Sequence, residues 1–330
     1  MGEPFTLQLH ITDACELQCR HCYRDTPRRA DLPLTDLERM LDDFHDFCES
    51  RWIPGRVTFA GGEPLQRVDD LLLLTRRAKK SGMQVHLLTN GWHLTRETAQ
   101  ELKAAGCLRV QISLDGDAET HDGLRGGGAF EKAIAALVTA RQASLPATLS
   151  LTLGGWNRQA LHEVIRLAQE HCARLFVSRF VPCGNGAALR NDLLTPNQWQ
   201  SVMRRCSAFS RSHSPGVSLR DPLYAPLRAK CGHRNPMAIG GCAIGHAGLA
   251  VDADGTAYPC RRLPVPLGNL RVDGFEAVWR SPALEALRDR DRLRGPCGAC
   301  QWRWACGGCR AIAYALSGDP FAGDPQCCWS

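Results

Sequence analysis

Long apolar runs are missing from this sequence. The densest, Leu71 to Leu74, is far shorter than the roughly twenty residues that cross a bilayer. The opening MGEPFTLQLHITDAC has no charged segment followed by an apolar one, so no export signal is expected and the chain reads as cytoplasmic. Charge of one sign is scarce too. Lys plus Arg number 40 against 34 Asp plus Glu, a formal excess of +6 with the arginines scattered. That is too weak a bias for a nucleic-acid partner. The 11 histidines are dispersed, and none has a second histidine at ligand spacing. No solenoid repeat or low-complexity tract is visible.

Cysteine is the exception. There are 17 in 330 residues, and a chain of this size without an export signal points to metal ligands or redox thiols rather than disulfides. They are clustered. Cys15, Cys19 and Cys22 lie at one end, and Cys231, Cys242, Cys260, Cys297, Cys300, Cys306, Cys309, Cys327 and Cys328 at the other.

The first two hundred residues alternate β-rich runs with amphipathic helices. The predicted strands are 5–11, 56–60, 84–89, 109–114, 148–153 and 174–181. Thr35-Asp36-Leu37-Glu38 reads as a capping box opening a helix with apolar Leu37, Met40, Leu41, Phe44, Phe47 and Cys48 on one face. Six strand–helix units with short loops imply a parallel sheet with right-handed crossovers, and a curved, partial (β/α)6 barrel of the TIM type. In such barrels the chemistry sits at the C-terminal ends of the strands. CELQCRHC, GGEP, TNG (with Asn90), SLDG and PCG follow the first, second, third, fourth and sixth strands, so one rim collects them. Thr195 caps a further helix with Pro196 at its first position. After residue 215 the composition turns to Gly, Pro and Cys, which suggests a barrel over 1–215 and a smaller cysteine-rich domain over 216–330.

Three thiolates within eight residues select zinc, copper or an iron–sulfur centre. A C-x3-C-x2-C loop wraps three corners of a [4Fe–4S] cube and leaves one iron without a protein ligand. Zinc could take His21 as a fourth ligand, but adjacent His21 and Cys22 cannot readily both point at one ion.

The loop, with His21 before the third cysteine and Tyr23 after it, resembles the signature of radical S-adenosylmethionine (radical SAM) enzymes. That family implies an open iron chelated by the amino and carboxylate groups of S-adenosylmethionine. Gly61-Gly62-Glu63-Pro64 resembles its GGEP element, in which the glycines admit close backbone approach and Glu63 faces the ammonium. Ser113-Leu114-Asp115-Gly116, His121-Asp122 and Arg125 resemble the fourth-strand elements. Ser113 and Asp115 would then serve the ribose side and Arg125 the carboxylate.

Cys242-x12-Gly255-x4-Cys260, then Cys297-x2-Cys300-x5-Cys306-x2-Cys309 and Cys327, resembles the SPASM domain that follows such barrels. The likeness implies two auxiliary [4Fe–4S] clusters. One would take Cys242, Cys260, Cys309 and Cys231, the other Cys297, Cys300, Cys306 and Cys327. The two-residue CGGC step departs from the three residues many members have there. Two zinc knuckles would use the same thiolates. Trp302, Trp304 and Trp329 read as hydrophobic shielding.

Cys48, Cys107, Cys172 and Cys206 read as core positions. Cys183 follows the sixth strand, on the expected active rim, where a thiol could donate a hydrogen atom to a substrate radical. The opening and the GCAIG…GTAYPCRR stretch most resemble selenobiotic-type peptide maturases, implying thioether formation, crosslinking or epimerisation of a ribosomally made peptide. So few residues precede the cluster loop that no winged-helix leader-binding unit is expected. The precursor would be gripped by a separate protein or a barrel groove, and electrons would come from flavodoxin or ferredoxin. The last thirty residues also resemble enzymes of alternative haem and d1-haem biosynthesis, which would make the substrate a tetrapyrrole losing side-chain carbon. A third possibility is a non-catalytic metal-binding module; the intact C-x3-C-x2-C, GGEP and SLDG elements argue against it.

Overall fold

The computed structural model describes residues 4–25, 30–212, 216–219, 221–230 and 241–329. Six β/α units open the chain. Strands β1 (Phe5–His10), β2 (Gly55–Ala60), β3 (Gln84–Thr89), β4 (Cys107–Ser113), β5 (Ala147–Leu153) and β6 (Arg174–Arg179) lie side by side in chain order, all parallel. The predicted strands agree with these to within two residues at each end. Helices α1 (Leu34–Glu49), α2 (Val68–Lys80), α3 (Arg96–Ala105), α4 (Ala118–Arg125), α5 (Ala129–Gln142) and α6 (Leu161–Glu170) connect them. The helix-facing residues Leu7, Leu9, Val57, Phe59, Val110, Ile112, Leu149 and Leu151 are buried, as parallel strands covered by helices require.

The helix ends follow local chemistry, with one correction. Thr95 caps α3, its hydroxyl accepting from the Thr98 N–H, and Gly106 closes it at φ +109°. Thr195 and Gln198 form a reciprocal box ahead of α7 (Pro196–Ser212). The box expected at Thr35 does not form. Helix α1 starts two residues earlier, with Pro33 at its cap, whose carbonyl accepts from Asp36 and Leu37, so Thr35 lies inside the helix.

The residues after 215 do not build a separate sheet. β7 (Val217–Leu219) adds to β6, and β8 (Gly248–Val251) adds parallel to the free edge of β1. β9 (Thr256–Tyr258) and β10 (Gly268–Asn269) extend that edge antiparallel. Among the described residues the result is one mixed ten-stranded sheet, β10-β9-β8-β1-β2-β3-β4-β5-β6-β7, with no pairing between β10 and β7. Helix α8 (Tyr224–Lys230) precedes β8; α9 (Leu270–Trp279), α10 (Pro282–Arg288), α11 (Gly295–Ala299) and α12 (Arg310–Ser317) follow β10.

Two contacts hold the C-terminal region. Phe275 and Trp279 of α9 pack on Phe47 and Phe5, with ring centroids 4.5 and 4.8 Å apart. At the other side Arg179, 1% exposed, donates from Nε to Asp221 at 2.6 Å and from Nη2 to Asp324 at 2.9 Å.

Candidate functional site

The cysteine loop between β1 and α1 is fixed both by backbone bonds and by side chains, among them Thr12, whose hydroxyl donates to Asp31, and Glu16, which accepts from Asn90 and Gln66. Gly62 N–H donates to the Thr12 carbonyl and Glu63 N–H to the Ala14 carbonyl. Arg20 N–H donates to Leu124, at the end of α4. Gly61, at φ +157°, sits where a side chain would strike the Thr12 carbonyl, and a Cβ on Gly62 would strike the Ala14 carbonyl. Gly62→Ala is therefore expected to displace the loop one residue before Cys15. We expect that variant to lose about four irons per chain and most of its S-adenosylmethionine cleavage, both assayed after anaerobic reconstitution.

Cys15, Cys19 and Cys22 line one cavity of about 730 Å³ with Gly61, Gly62, Asn90, Ser113 and Arg125. His21 and Tyr23 line it as well. Side chains from β3 to β6 form its floor: Leu88, Gln111, Ser150, Thr152 and Ser178. These polar floor residues were not among the expected site residues. Their signal is the alternation of polar and apolar in TLSLTL, which puts Ser150 and Thr152 on one face. Arg24, Arg261 and Arg262, also unexpected, supply cations to the wall.

Two side chains point donors at the thiols. Asn90 Nδ2 lies 3.9 Å from Cys15 Sγ, and Arg125 Nη1 lies 3.9 Å from Cys19 Sγ. Arg125 is held by Asp115, which accepts from its Nε at 2.7 Å and has His21 Nε2 3.1 Å away. Thr152 N–H donates to the other oxygen of Asp115. Burial works against the charge on Asp115, but Arg125 and then His21 outweigh it and hold the carboxyl well below the usual carboxylate range. Asp115 is wholly buried and committed to Arg125, which places it behind the wall rather than on a ribose-facing surface.

Glu63 is also placed differently from the expectation. It is 0% exposed, and its carboxylate accepts from the Leu65 N–H, the Thr89 hydroxyl and the Asn90 N–H. Burial pushes its carboxyl up to about 7, against the three donors that pull it down. With Pro64 buried beside it, Glu63 braces the rim between β2 and β3; Gly61, Gly62 and Asn90 face the cavity in its place.

A second cavity, of about 270 Å³, is lined by Cys297, Cys300, Cys306 and Cys327 together, with Trp302 and Trp329 over them. Trp304 does not shield it; its side chain is 52% exposed. Arg310, 1% exposed, places Nη2 3.6 Å from Cys297 Sγ and leaves Nε without a partner. Cys242, Cys260 and Cys309 lie apart from this cavity, in an apolar group with Ile244, Leu263 and Ile312. Cys183, 9% exposed, belongs to that group and is not among the residues that line the main cavity. Cys231 lies outside the described residues. Cys48, Cys107 and Cys206 are core; Cys172 is exposed at φ +52°, in the turn before β6, and is not.

The donor sets fit iron–sulfur cubes. Sulfurs around one tetrahedral zinc stand roughly 3.8 Å apart, from a Zn–S bond of about 2.3 Å. Among the described residues, the group of three possible ligands within 4.8 Å of one another is His45, Asp46 and Glu49 on α1; no three cysteines converge that closely. Cubes, gripped at separate corners, need wider spacing. They are also anionic with their thiolates, which matches guanidinium N–H groups of Arg262, Arg290 and Arg310 that are buried without partners.

Comparison with known proteins agrees with this layout. Residues 9–168 match the model of the radical SAM superfamily, and residues 242–301 that of the SPASM iron–sulfur cluster-binding domain. An AdoMet-dependent heme synthase of Methanosarcina barkeri is 30% identical, over 98% of this chain and 96% of its own length. A mycofactocin maturase of Mycobacterium ulcerans is 32% identical, over 99% and 88%. The structure of Streptococcus suis SuiB bound to its precursor peptide SuiA superposes with a TM-score of 0.77 at 16% identity, covering 99% of this chain and 76% of that one.

Proposed function

The chain belongs to the radical SAM superfamily and carries a SPASM iron–sulfur domain, and from that premise we propose that it abstracts hydrogen from a C–H bond of a ribosomally made peptide during its maturation. The observation that carries the radical chemistry is the convergence of Cys15, Cys19 and Cys22 on one cavity, with Asn90 and Arg125 aimed at the sulfurs. When bound, a reduced cluster and S-adenosylmethionine supply one-electron cleavage of the sulfonium and the 5′-deoxyadenosyl radical.

This chain's residues do the positioning. The three thiolates hold three corners. Gly61 and Gly62 offer backbone to the methionine ammonium, while Glu63 fixes their loop and the Asn90 N–H. Asp115 and His21 orient Arg125, whose charge stands beside Cys19 and serves the methionine carboxylate. Ser113 and the hydroxyls of β5 meet the ribose. Six strands curving round one cavity amount to a partial (β/α)6 barrel over 1–215. Residues 216–330 hold two auxiliary clusters, with Cys231 a candidate ligand and a flavodoxin or ferredoxin as electron source.

Peptide maturation is supported by relatives of that role spanning almost the whole chain, and by the likeness of fold to peptide-bound enzymes. A tetrapyrrole substrate is the second reading. It is favoured by a heme synthase of matching length and by Arg24, Arg261 and Arg262 on the cavity wall, which suit propionates. Incubating the reduced enzyme with S-adenosylmethionine and either a synthetic precursor peptide or iron-coproporphyrin separates the two. Loss of two hydrogens from the peptide upholds the first; loss of carbon dioxide from the porphyrin replaces it with the second.

A further inference from the structure

Four thiols enclose the smaller cavity, so among the described SPASM cysteines of the other set there remain Cys242, Cys260 and Cys309, one short of a fully held cube. A fourth thiol is already in that group. Cys183, from the loop after β6, is 9% exposed and packs in the same apolar cluster as those three. The other cysteines of the barrel are elsewhere: Cys48, Cys107 and Cys206 in the main core and Cys172 at the surface.

A second observation is electrostatic. Arg262 lies within Coulombic range of Cys260, Cys309 and Cys183, and of Asp221. It forms no ion pair among the described residues, and its Nε is buried without a partner. Its Nη1 donates to the Arg179 carbonyl at 3.0 Å. Asp221 lies within its Coulombic range but accepts no hydrogen bond from it, and a buried guanidinium left short of partners is costly unless an anion stands beside it. Thiolates from three separate segments, wrapped on iron and sulfide, are such an anion.

The third observation concerns the backbone. Gly184 adopts φ +57°, and a side chain there would strike the Tyr23 carbonyl. Asn185 N–H donates to Arg24 at 3.0 Å and Gly186 N–H to Cys22 at 2.9 Å. The loop that carries Cys183 is therefore clamped onto the segment that carries Cys22, while Cys183 itself packs in the apolar cluster of the SPASM cysteines.

We propose that Cys183 is the barrel's own ligand to the auxiliary cluster held by Cys242, Cys260 and Cys309, closing its fourth corner. The inference rests on reading the SPASM cysteines as cluster ligands. It couples the two centres mechanically, because the loop that carries Cys183 is hydrogen-bonded to the segment of Cys22.

The test uses the full chain with Cys15, Cys19 and Cys22 all replaced by alanine, so that auxiliary clusters alone remain, at about eight irons per chain. Absence of iron in that parent would defeat the cluster reading itself. Adding Cys183→Ala should lower iron to about four to seven per chain and give the oxidised protein the paramagnetic signal of a three-iron cluster. Cys183→Ser, which preserves size, should keep a cluster with a lowered reduction potential. Unchanged iron and unchanged potential in both variants, with Cys231→Ala stripping the cluster instead, would overturn the assignment.

Discussion

Cys15→Ala is expected to cut 5′-deoxyadenosine release by at least about a thousandfold, a barrier increase of roughly 4 kcal/mol or more. The reason is geometric. Cys15 is the corner nearest Asn90, and the loop before it is pinned to the glycine turn through Ala14 and Glu63. Two remaining thiols cannot grip a cube at three corners. The auxiliary cysteines lie on other segments of the chain, so iron should fall only from about twelve to about eight per chain. Burial pushes the free Cys15 thiol up to about 12, so it becomes a thiolate only beside strong positive charge such as iron. Iron analysis, acid-labile sulfide and product quantification, all anaerobic, check the result together. Full activity in the variant would remove Cys15 from the site.

Arg179→Ala carries the largest expected cost in stability. Arg179 is fully buried between Asp221 and Asp324, and Gln326 accepts from its Nη1 at 3.2 Å. Truncation leaves two buried carboxylates without their cation, and breaking such a group typically costs about 3–5 kcal/mol. In a chain of this size the melting temperature should drop by roughly 4–7 °C. The damage should not stay local. Asp324 also accepts from the Cys309 N–H at 2.8 Å, and its own N–H lies 3.3 Å from Cys297 Sγ. One side chain thus joins the end of β6 to ligand segments of both auxiliary sites. Differential scanning calorimetry and iron content should fall together. A stable variant with full iron would show that the two carboxylates are satisfied another way.

Much of this was legible in the sequence because its causes are local. Alternation and helical period placed six strands and their helices, since each unit buries one face against its neighbours. The thiol spacings marked the metal sites for the same reason: a short loop has few ways to present three sulfurs. What the sequence hid depends on contacts between distant segments. GLAV at 248–251 is too short to announce a strand that pairs with β1, and nothing local says that His10 meets Asp252 at 2.9 Å. The commitment of Asp115 to Arg125 and of Glu63 to the Asn90 N–H was likewise invisible, because motif positions do not reveal which side of a wall a carboxylate faces. Cys183 shows the same limit. Its place just after the sixth strand put it at the rim, while its packing among the SPASM cysteines depends on a segment distant in sequence.

The most direct test of the central claim is to reduce the reconstituted, oxygen-free chain in the presence of S-adenosylmethionine and to quantify 5′-deoxyadenosine, methionine, iron and labile sulfide in one sample. The account predicts equal amounts of 5′-deoxyadenosine and methionine, from protein carrying about twelve irons and as many sulfides. Protein that binds zinc without labile sulfide and leaves the sulfonium intact would contradict it.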